Sequence, residues 1–426
     1  MKFTPAYNLI DELKWRGLFH QQTPGIEPLL STEKISGYVG FDPTADSLHI
    51  GNLVPIMLLV HLQRSGHQPI ALVGGATGMV GDPSGKKAER NLLDIKTIEH
   101  NLNCQKKQLE KFLNFNGPDG ARMVNNYDWF KNINFLDFIR DVGKHITINY
   151  MLAKDSVKNR LEEGMSFTEF SYQLVQGFDF YHLYENEGCK LQMGGSDQWG
   201  NIVTGTELIR RKAGGEAHAI TAPLLTKPDG SKFGKSEGGN VWLDIEKTSA
   251  YKFYQFWLNT GDEEAEKLIK VFTLLTKAEI DEIVSEHMTS PHLRSLQKRL
   301  AEEVTTMVHG EDALKAAMAA SEILFGKATS SELMGLSEQD FLDVFEGVDQ
   351  CELEGVSGMT AIDLLTDSGF LSSKSEARRE LKGNAISINK DKVDEDFIVG
   401  ERHLLNNRYL LLQKGKKSYF IVKLKS

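Results

Sequence analysis

Cysteine is scarce in this sequence: Cys104, Cys189 and Cys351 are all that its 426 residues contain. An odd number at wide spacing builds neither a disulfide framework nor a zinc site, so a reducing, cytoplasmic home is expected. No apolar run approaches the roughly 20 residues that a membrane-spanning helix needs. The opening MKFTPAYNLIDELKWRG lacks the basic head and unbroken apolar core of a signal peptide. It reads instead as a helix with Thr4 as N-cap and Pro5 at its first position. Positive charge is in deficit, 49 Lys and Arg against 59 Asp and Glu, and the net charge of −10 argues against a generic nucleic-acid coat. Internal repeats, low-complexity tracts and an obvious Ser-His-Asp or Cys-His set are missing too. What remains is an ordinary globular composition, 40% hydrophobic and 25% charged, in a chain long enough for two or three domains.

The charge is unevenly spread. Residues 328–370 hold ten Asp and Glu and no Lys or Arg, whereas residues 371–426 hold thirteen Lys and Arg against seven acids. Such a change of sign reads as a linker-like stretch followed by a basic module. The first half alternates β-rich runs with helical patterns, as a doubly wound, Rossmann-like parallel sheet does. Strands are expected at Ser36–Phe41, Pro69–Gly75, Met123–Phe130 and Lys190–Gly195. Helices are expected at Leu48–Leu62, at about Asp94–Phe115 and at Ser166–Glu187, the last closed by Gly188. Beyond Thr248 the apolar spacing turns wholly helical. From Gly358 a helix at Thr360–Ser368, a basic helix, a Gly-Asn turn, a strand and a hairpin turning through Lys414–Lys417 follow. The expected division is therefore 1–225, an α/β domain; 226–327, a mobile loop and helical domain; 328–357, the acidic linker; and 358–426, a small basic α/β domain.

Two stretches bear on phosphate chemistry. In DSLHIGN, His49 and Gly51 fall in the first turn of a helix, where free N–H groups and the dipole favour an anion. A histidine N–H is directional and can follow a phosphate as it moves, and Gly51 lets a flat ring or ribose approach. In TKPDGSKFGKSEGG, Lys232 and Lys235 stand three apart among four glycines, in a loop with little core of its own to hold it. A third stretch is the helix after Ser166, where Tyr172, Gln176 and Asp179 share one face of an otherwise apolar surface. A polar stripe of this kind needs a partner if it is buried.

Together HIGN and KFGKS resemble the paired signatures of class I aminoacyl-tRNA synthetases. YVGFDPTADSLHIGN, ALVGGATGMVGDPSGKKAER, FTEFSYQLVQGFDF and GGSDQWGNI are similar, nearly end to end, to the bacterial tyrosyl-tRNA synthetase family. The resemblance implies an enzyme that makes tyrosyl-adenylate from L-tyrosine and ATP and passes the tyrosyl group to tRNA(Tyr). It implies that Asp179 and Tyr38, expected at a strand end, hold the phenol. Tyr172, Gln176 and Asp82 would take the α-ammonium, with Asn126 and Gln198 lining the pocket. Rejection of phenylalanine by such hydrogen-bonding groups is a discrimination for which this family is itself a standard example. Asp42, Gly51, Asn52, Gly195 and Asp197 are implied for ATP. His49, Thr44, Lys232 and Lys235 are implied for its phosphates, together with Lys86 and Arg90. Neither step needs an enzyme nucleophile; alignment and charge stabilisation carry both. No carboxylate cluster suggests a protein-held metal, so Mg²⁺ is expected to arrive with ATP. For tRNA the resemblance implies Arg210, Arg211 and Lys212 at the acceptor stem, Lys374, Arg378 and Arg379 in the basic module, and a homodimer.

Asn52 departs from the family signature, which usually has a second histidine there. Its carboxamide N–H reaches nearly the same place as an imidazole N–H but cannot become cationic. Two rivals bear weighing. A tryptophanyl enzyme also carries both signatures but lacks the basic C-terminal module. A noncatalytic RNA-binding relative would be favoured by loss of His49, Lys232 or Lys235, all of which are present.

Overall fold

A computed structural model of the chain describes residues 3–84, 93–154, 157–158, 164–226, 233–236, 239–324, 329–346, 348–415 and 418–425. Lys86, Arg90 and Lys232 lie outside the described residues, and of Lys235 only the backbone is described. The chain divides into two compact units, Met1–Asp244 with Thr260–Leu300, and Ile245–Asn259 with Ala301–Ser426.

The first unit is built on a six-stranded sheet. Its strands are β1 (Gln21–Gln22), β2 (Ser36–Phe41), β3 (Gln68–Val73), β4 (Arg122–Asn125), β5 (Cys189–Gly195) and β6 (His218–Ala222). Their order is β1-β6-β5-β2-β3-β4, with β2 to β6 parallel and the short β1 antiparallel at the edge. Parallel strands are covered on both faces, which is why PIALV reads as one unbroken apolar run. The helix Leu53–Arg64 packs on β2, β3 and β5 and buries almost all its residues, including Leu53, Ile56, Met57, Leu58, Leu59 and Leu62. The helices Asp262–Phe272 and Lys277–Thr289 belong to this unit as well. Buried Arg16 donates to the carbonyls of Lys270, Thr273 and Leu275 at 2.8–2.9 Å, which ties the N-terminal helix to the end of the first of them.

The long helix is capped as its sequence foretells. Ser166 and Glu169 form a capping box at its start, Phe167–Glu187 follows, and Gly188 closes it in the left-handed conformation. Three expectations need correction. The N-terminal helix begins only at Leu9, with Asn8 as its cap. The residues before it are held otherwise: Phe3 packs on His67, the Ala6 N–H reaches the Ser65 carbonyl, and the Tyr7 hydroxyl reaches the His61 carbonyl. The expected strand Met123–Phe130 is two elements. β4 stops at Asn125, whose side chain accepts from the Tyr127 N–H at 3.0 Å, and Tyr127–Phe130 forms a helical turn. Finally Tyr38, expected at a strand end, lies within β2, opposite Ile70 on one side and Gln192 on the other.

The second unit carries a five-stranded sheet of β9 (Gln350–Leu353), β10 (Ile386–Ile388), β11 (Asp391–Lys392), β12 (Tyr409–Lys414) and β13 (Ser418–Leu424), in the order β11-β10-β12-β13-β9. Alternate residues of β12 serve two cores. Leu410 and Leu412 pack under the helices Ala361–Asp367 and Lys374–Lys382, and Tyr409 and Leu411 pack against Phe341, Val344 and Phe345. The described part of the acidic stretch 328–357 contributes the helix Glu338–Val344 and strand β9. Its charge count masks the apolar spacing of Phe341, Val344 and Phe345 along one face. Among the described residues no helix is long and apolar enough to cross a membrane.

Candidate active site

The chain runs from β2 outward to β3 and β4, then returns to lay β5 on the other side of β2. A crevice therefore opens beyond the C-terminal ends of β2 and β5, where open α/β sheets bind ligands. Phe41 leads there into Asp42, Pro43 and Thr44, and Gly195 leads into Asp197 and Gln198. Most of the expected residues converge on this edge.

His49 is the N-cap of a short helical turn, Ile50–Asn52, which runs into Leu53–Arg64. Its Nδ1 accepts from the Gly51 N–H at 3.0 Å, and the Asn52 carboxamide oxygen accepts from the His49 N–H at 3.0 Å. These two bonds fix both side chains. A Cβ at position 51 would stand 2.8 Å from His49 Cε1, so the glycine here first accommodates the imidazole. The root of the lysine-bearing loop lies against the same turn. Ile50 N–H reaches the Val241 carbonyl at 3.0 Å, and Leu243 N–H reaches that of Leu48 at 2.8 Å. The Trp242 ring meets the His49 ring edge-on, with centroids 6.1 Å apart. Gly234, at φ +95, sits so close that a Cβ there would be 3.2 Å from the Gly51 nitrogen. The short strands β7 (Lys235–Ser236) and β8 (Gly239–Asn240) continue from this contact. The two signatures, 183 residues apart from His49 to Lys232 in the sequence, thus share one backbone ladder at their edges.

The polar stripe of the long helix faces into the crevice, with Tyr172 and Asp179 buried and Gln176 half-buried. Asp179 accepts from Asn126 Nδ2 at 3.0 Å and from the Trp129 indole N–H at 2.9 Å. Burial nevertheless lifts its carboxyl to about 8, against the pull of those two donors. Asn126 also donates to Thr77 Oγ1 at 3.0 Å, and the Thr77 hydroxyl donates to Asp42 at 2.7 Å. The other Asp42 oxygen accepts from the Tyr172 hydroxyl at 2.9 Å. A second cluster adjoins: Asp82 accepts from Gln198 Nε2 at 2.7 Å, and Asn201 donates to Gln176 at 3.1 Å and to Ser84 at 3.2 Å. Asp42, Asp82 and Asp179 all raise the Tyr172 phenol further after burial has done so. Asp42 and Asp82 beside one buried tyrosine make a site that attracts a cation, and Asp179 adds its charge only once its raised carboxyl ionises. Tyr38 supplies the complement: its side chain is 1% exposed, its hydroxyl has no hydrogen-bond partner, and its phenol is pushed well up by burial and by Asp179. An unpaired buried hydroxyl is costly and marks a place for a ligand atom.

The remaining residues are placed less tightly. Thr44 is exposed at the mouth. Gly195 ends β5, where a Cβ would lie 2.6 Å from an Asp197 carboxylate oxygen. Arg210 and Arg211 both bond Glu207, holding that carboxyl down at about 2, and Lys212 lies over the Tyr181 ring at 5.0 Å. In the second unit Lys374 pairs with Asp363 at 2.6 Å and Arg379 with Glu380 at 3.1 Å, while Arg378 is exposed beside them. Among the described residues no group of three or more His, Cys, Asp or Glu is arranged to hold a metal. Sequence reasoning missed Thr77, Ser84, Trp129, Asn201 and Trp242. Asn201 was within reach, standing three residues after Gln198 on a helix; Trp129 was hidden by reading its segment as a strand.

Comparison with known proteins covers both units. A model of the class I tRNA synthetases for tryptophan and tyrosine matches residues 30–326, and one of a tyrosine–tRNA ligase C-terminal domain matches residues 340–422. A tyrosine–tRNA ligase of Flavobacterium johnsoniae is 58% identical over 427 residues, 98% of this chain and 99% of that protein. One of Bacteroides fragilis is 59% identical over 426 residues, 97% of this chain and 99% of that protein. Among solved structures, a C-terminally truncated mitochondrial tyrosyl-tRNA synthetase of Aspergillus nidulans superposes with a TM-score of 0.66 at 31% identity, covering 75% of this chain and 94% of that one.

Proposed function

The chain belongs to the tyrosine–tRNA ligases of class I, and from that premise we propose how its own residues divide the work. The reaction has two steps: the tyrosine carboxylate attacks the α-phosphate of ATP, and a terminal ribose hydroxyl of tRNA(Tyr) then attacks the adenylate carbonyl. The C-terminal match over 340–422 sets the chain apart from tryptophanyl relatives.

The observation that carries the assignment is the unpaired Tyr38 hydroxyl beside Asp179, with Asp42 and Asp82 close to Tyr172. The phenol of L-tyrosine donates to Asp179 and accepts from Tyr38. The α-ammonium takes the oxygens of Asp82, Tyr172 and Gln176, with Asn126 and Gln198 behind them. Asp42, bonded by Thr77 and Tyr172, is assigned to ATP. Gly195 and Asp197 meet the ribose, as do Gly51 and the NH₂ of Asn52. His49, Thr44, Lys232 and Lys235 stabilise the charge that builds on the phosphates, and Lys86 and Arg90 assist. That reading needs the loop root near His49, which the Gly234–Gly51 approach supports. Mg²⁺ comes bound to the ATP phosphates.

tRNA meets Arg210, Arg211 and Lys212 in the first unit and Lys374, Arg378 and Arg379 in the second, within the parts 1–225 and 358–426. The enzyme works as a homodimer. Support comes from exposed apolar side chains that a monomer would not keep in water: Phe135 at 63%, Leu136 at 74%, Ile148 at 64% and Phe167 at 67%. Its three free cysteines suit a reducing cytoplasm. Tyrosine-dependent exchange of labelled pyrophosphate into ATP tests the assignment. Exchange with tyrosine and not with tryptophan is expected; equal exchange with both would refute it.

A further inference from the structure

Asp179 does not stand by its own rotamer. Asn126 bonds one of its oxygens and the Trp129 indole the other, so the two donors set the plane of the carboxylate. Asn126 is itself locked, accepting from the Ala76 N–H at 2.6 Å and donating to Thr77. Trp129 has less backing. It stands on a helical turn of four residues, Tyr127–Phe130, and is only half-buried. Its ring packs at the edges of two buried clusters, one with Tyr38 and Phe180 and one with Phe178 and Leu208, and a further group lies flat on its face. That group is His182, one turn beyond Asp179 on the long helix. The imidazole stacks on the indole with centroids 4.4 Å apart and planes 16° from parallel. The His182 ring is held in turn by Asn186, whose Nδ2 lies 3.3 Å from its Nδ1 and donates to the His182 carbonyl at 2.9 Å.

We propose that His182 is a positioning residue for amino-acid recognition: its ring face holds Trp129, and through Trp129 the Asp179 carboxylate, in the orientation that takes the tyrosine phenol. The flat face does the work, not the acid–base chemistry of the imidazole. The proposal rests on the reading of Asp179 as the phenol's acceptor.

Three variants in tyrosine-dependent pyrophosphate exchange test it. His182→Ala is expected to raise KM for tyrosine roughly two- to tenfold, the range of an aromatic stack, with kcat and KM for ATP little changed. Preference for tyrosine over phenylalanine should fall by the same factor, because phenylalanine never used the carboxylate. His182→Phe keeps a ring on the indole and should retain both KM and preference. In a Trp129→Phe background, which lacks the N–H, His182→Ala should add almost nothing, whereas independent effects would multiply. Parental KM and preference in His182→Ala would overturn the proposal. So would a His182→Phe variant as impaired as His182→Ala, or multiplying effects in the double variant. Asp179→Asn separates the two layers. If it leaves the preference for tyrosine intact, the reading of the site fails; if it destroys the preference while His182→Ala is neutral, only the role of His182 fails.

Discussion

Asn52 shows what one substituted letter in a signature constrains. Its carboxamide oxygen is committed to the His49 N–H, which turns the NH₂ group away from the cap and toward whatever binds there. Three variants divide these duties. Asn52→His, which restores an imidazole N–H, should keep most adenylate formation. Asn52→Ala loses both functions and should slow it roughly two- to tenfold, the worth of one hydrogen bond. Asn52→Asp keeps the acceptor for the His49 N–H, loses the donor and adds a negative charge beside the nucleotide. Single-turnover adenylate formation as slow as in Asn52→Ala, with an unchanged melting temperature, is expected of it; a parental rate would show that no donor is needed. Asp179 makes a second prediction at this scale. An unfolded aspartate ionises near about 4, whereas burial holds this one to about 8 in the fold. Between those values the unfolded chain releases a proton that the folded chain keeps, so stability falls as pH rises from about 4 to about 8 and levels off beyond. Asp179→Asn has no proton to lose there. Its melting temperature, measured relative to the parent without ligand, should climb between about pH 5 and about pH 8; a constant difference would contradict the raised carboxyl.

Among elements, those with local punctuation were legible in the chain alone. Ser166, Glu169 and Gly188 bound the long helix by capping chemistry that needs no tertiary partner. Strand β2 was equally plain, being a β-rich run between turns. Elements decided by distant contacts were not legible. The segment around Asn8 was misread because Phe3, Ala6 and Tyr7 are held by residues 61–67, which no local pattern announces. Tyr127–Phe130 was misread because an Asn side chain, not an apolar period, ends β4. The same limit hid Trp129 and Thr77 in the site, whereas Tyr172, Gln176 and Asp179 were found by helical spacing. The pairing of residues 48–50 with 241–243 was likewise invisible, though it joins the two signatures. It carries a prediction: Trp242→Ala, which removes the ring set edge-on to His49, should lower kcat for adenylate formation roughly two- to tenfold with KM for tyrosine unchanged. An unaltered kcat would mean that the backbone ladder alone places the turn.

For the whole molecule, charge and apolar surface point to different partners. The net charge of −10 conceals a basic C-terminal module and a cluster at Arg210–Lys212, both partly neutralised by Glu207, Asp363 and Glu380. Pairs of this kind are weak in water and exchange readily for phosphate. The apolar surface asks for protein. Leu136→Glu, at a side chain 74% exposed, should leave the melting transition of the subunit nearly intact yet convert a dimer into monomers in sedimentation. A species unchanged in size would move the interface elsewhere or remove it. The central claim remains the phenol between Tyr38 and Asp179, and one measurement meets it directly: kcat/KM for tyrosine relative to phenylalanine in pyrophosphate exchange, for the parent and for Asp179→Asn. Measured above about pH 8, where the buried carboxyl has ionised, the ratio should collapse by roughly ten- to a hundredfold in the variant, as loss of a charged hydrogen-bond acceptor implies. A ratio equal to the parent's would show that the phenol is read somewhere else.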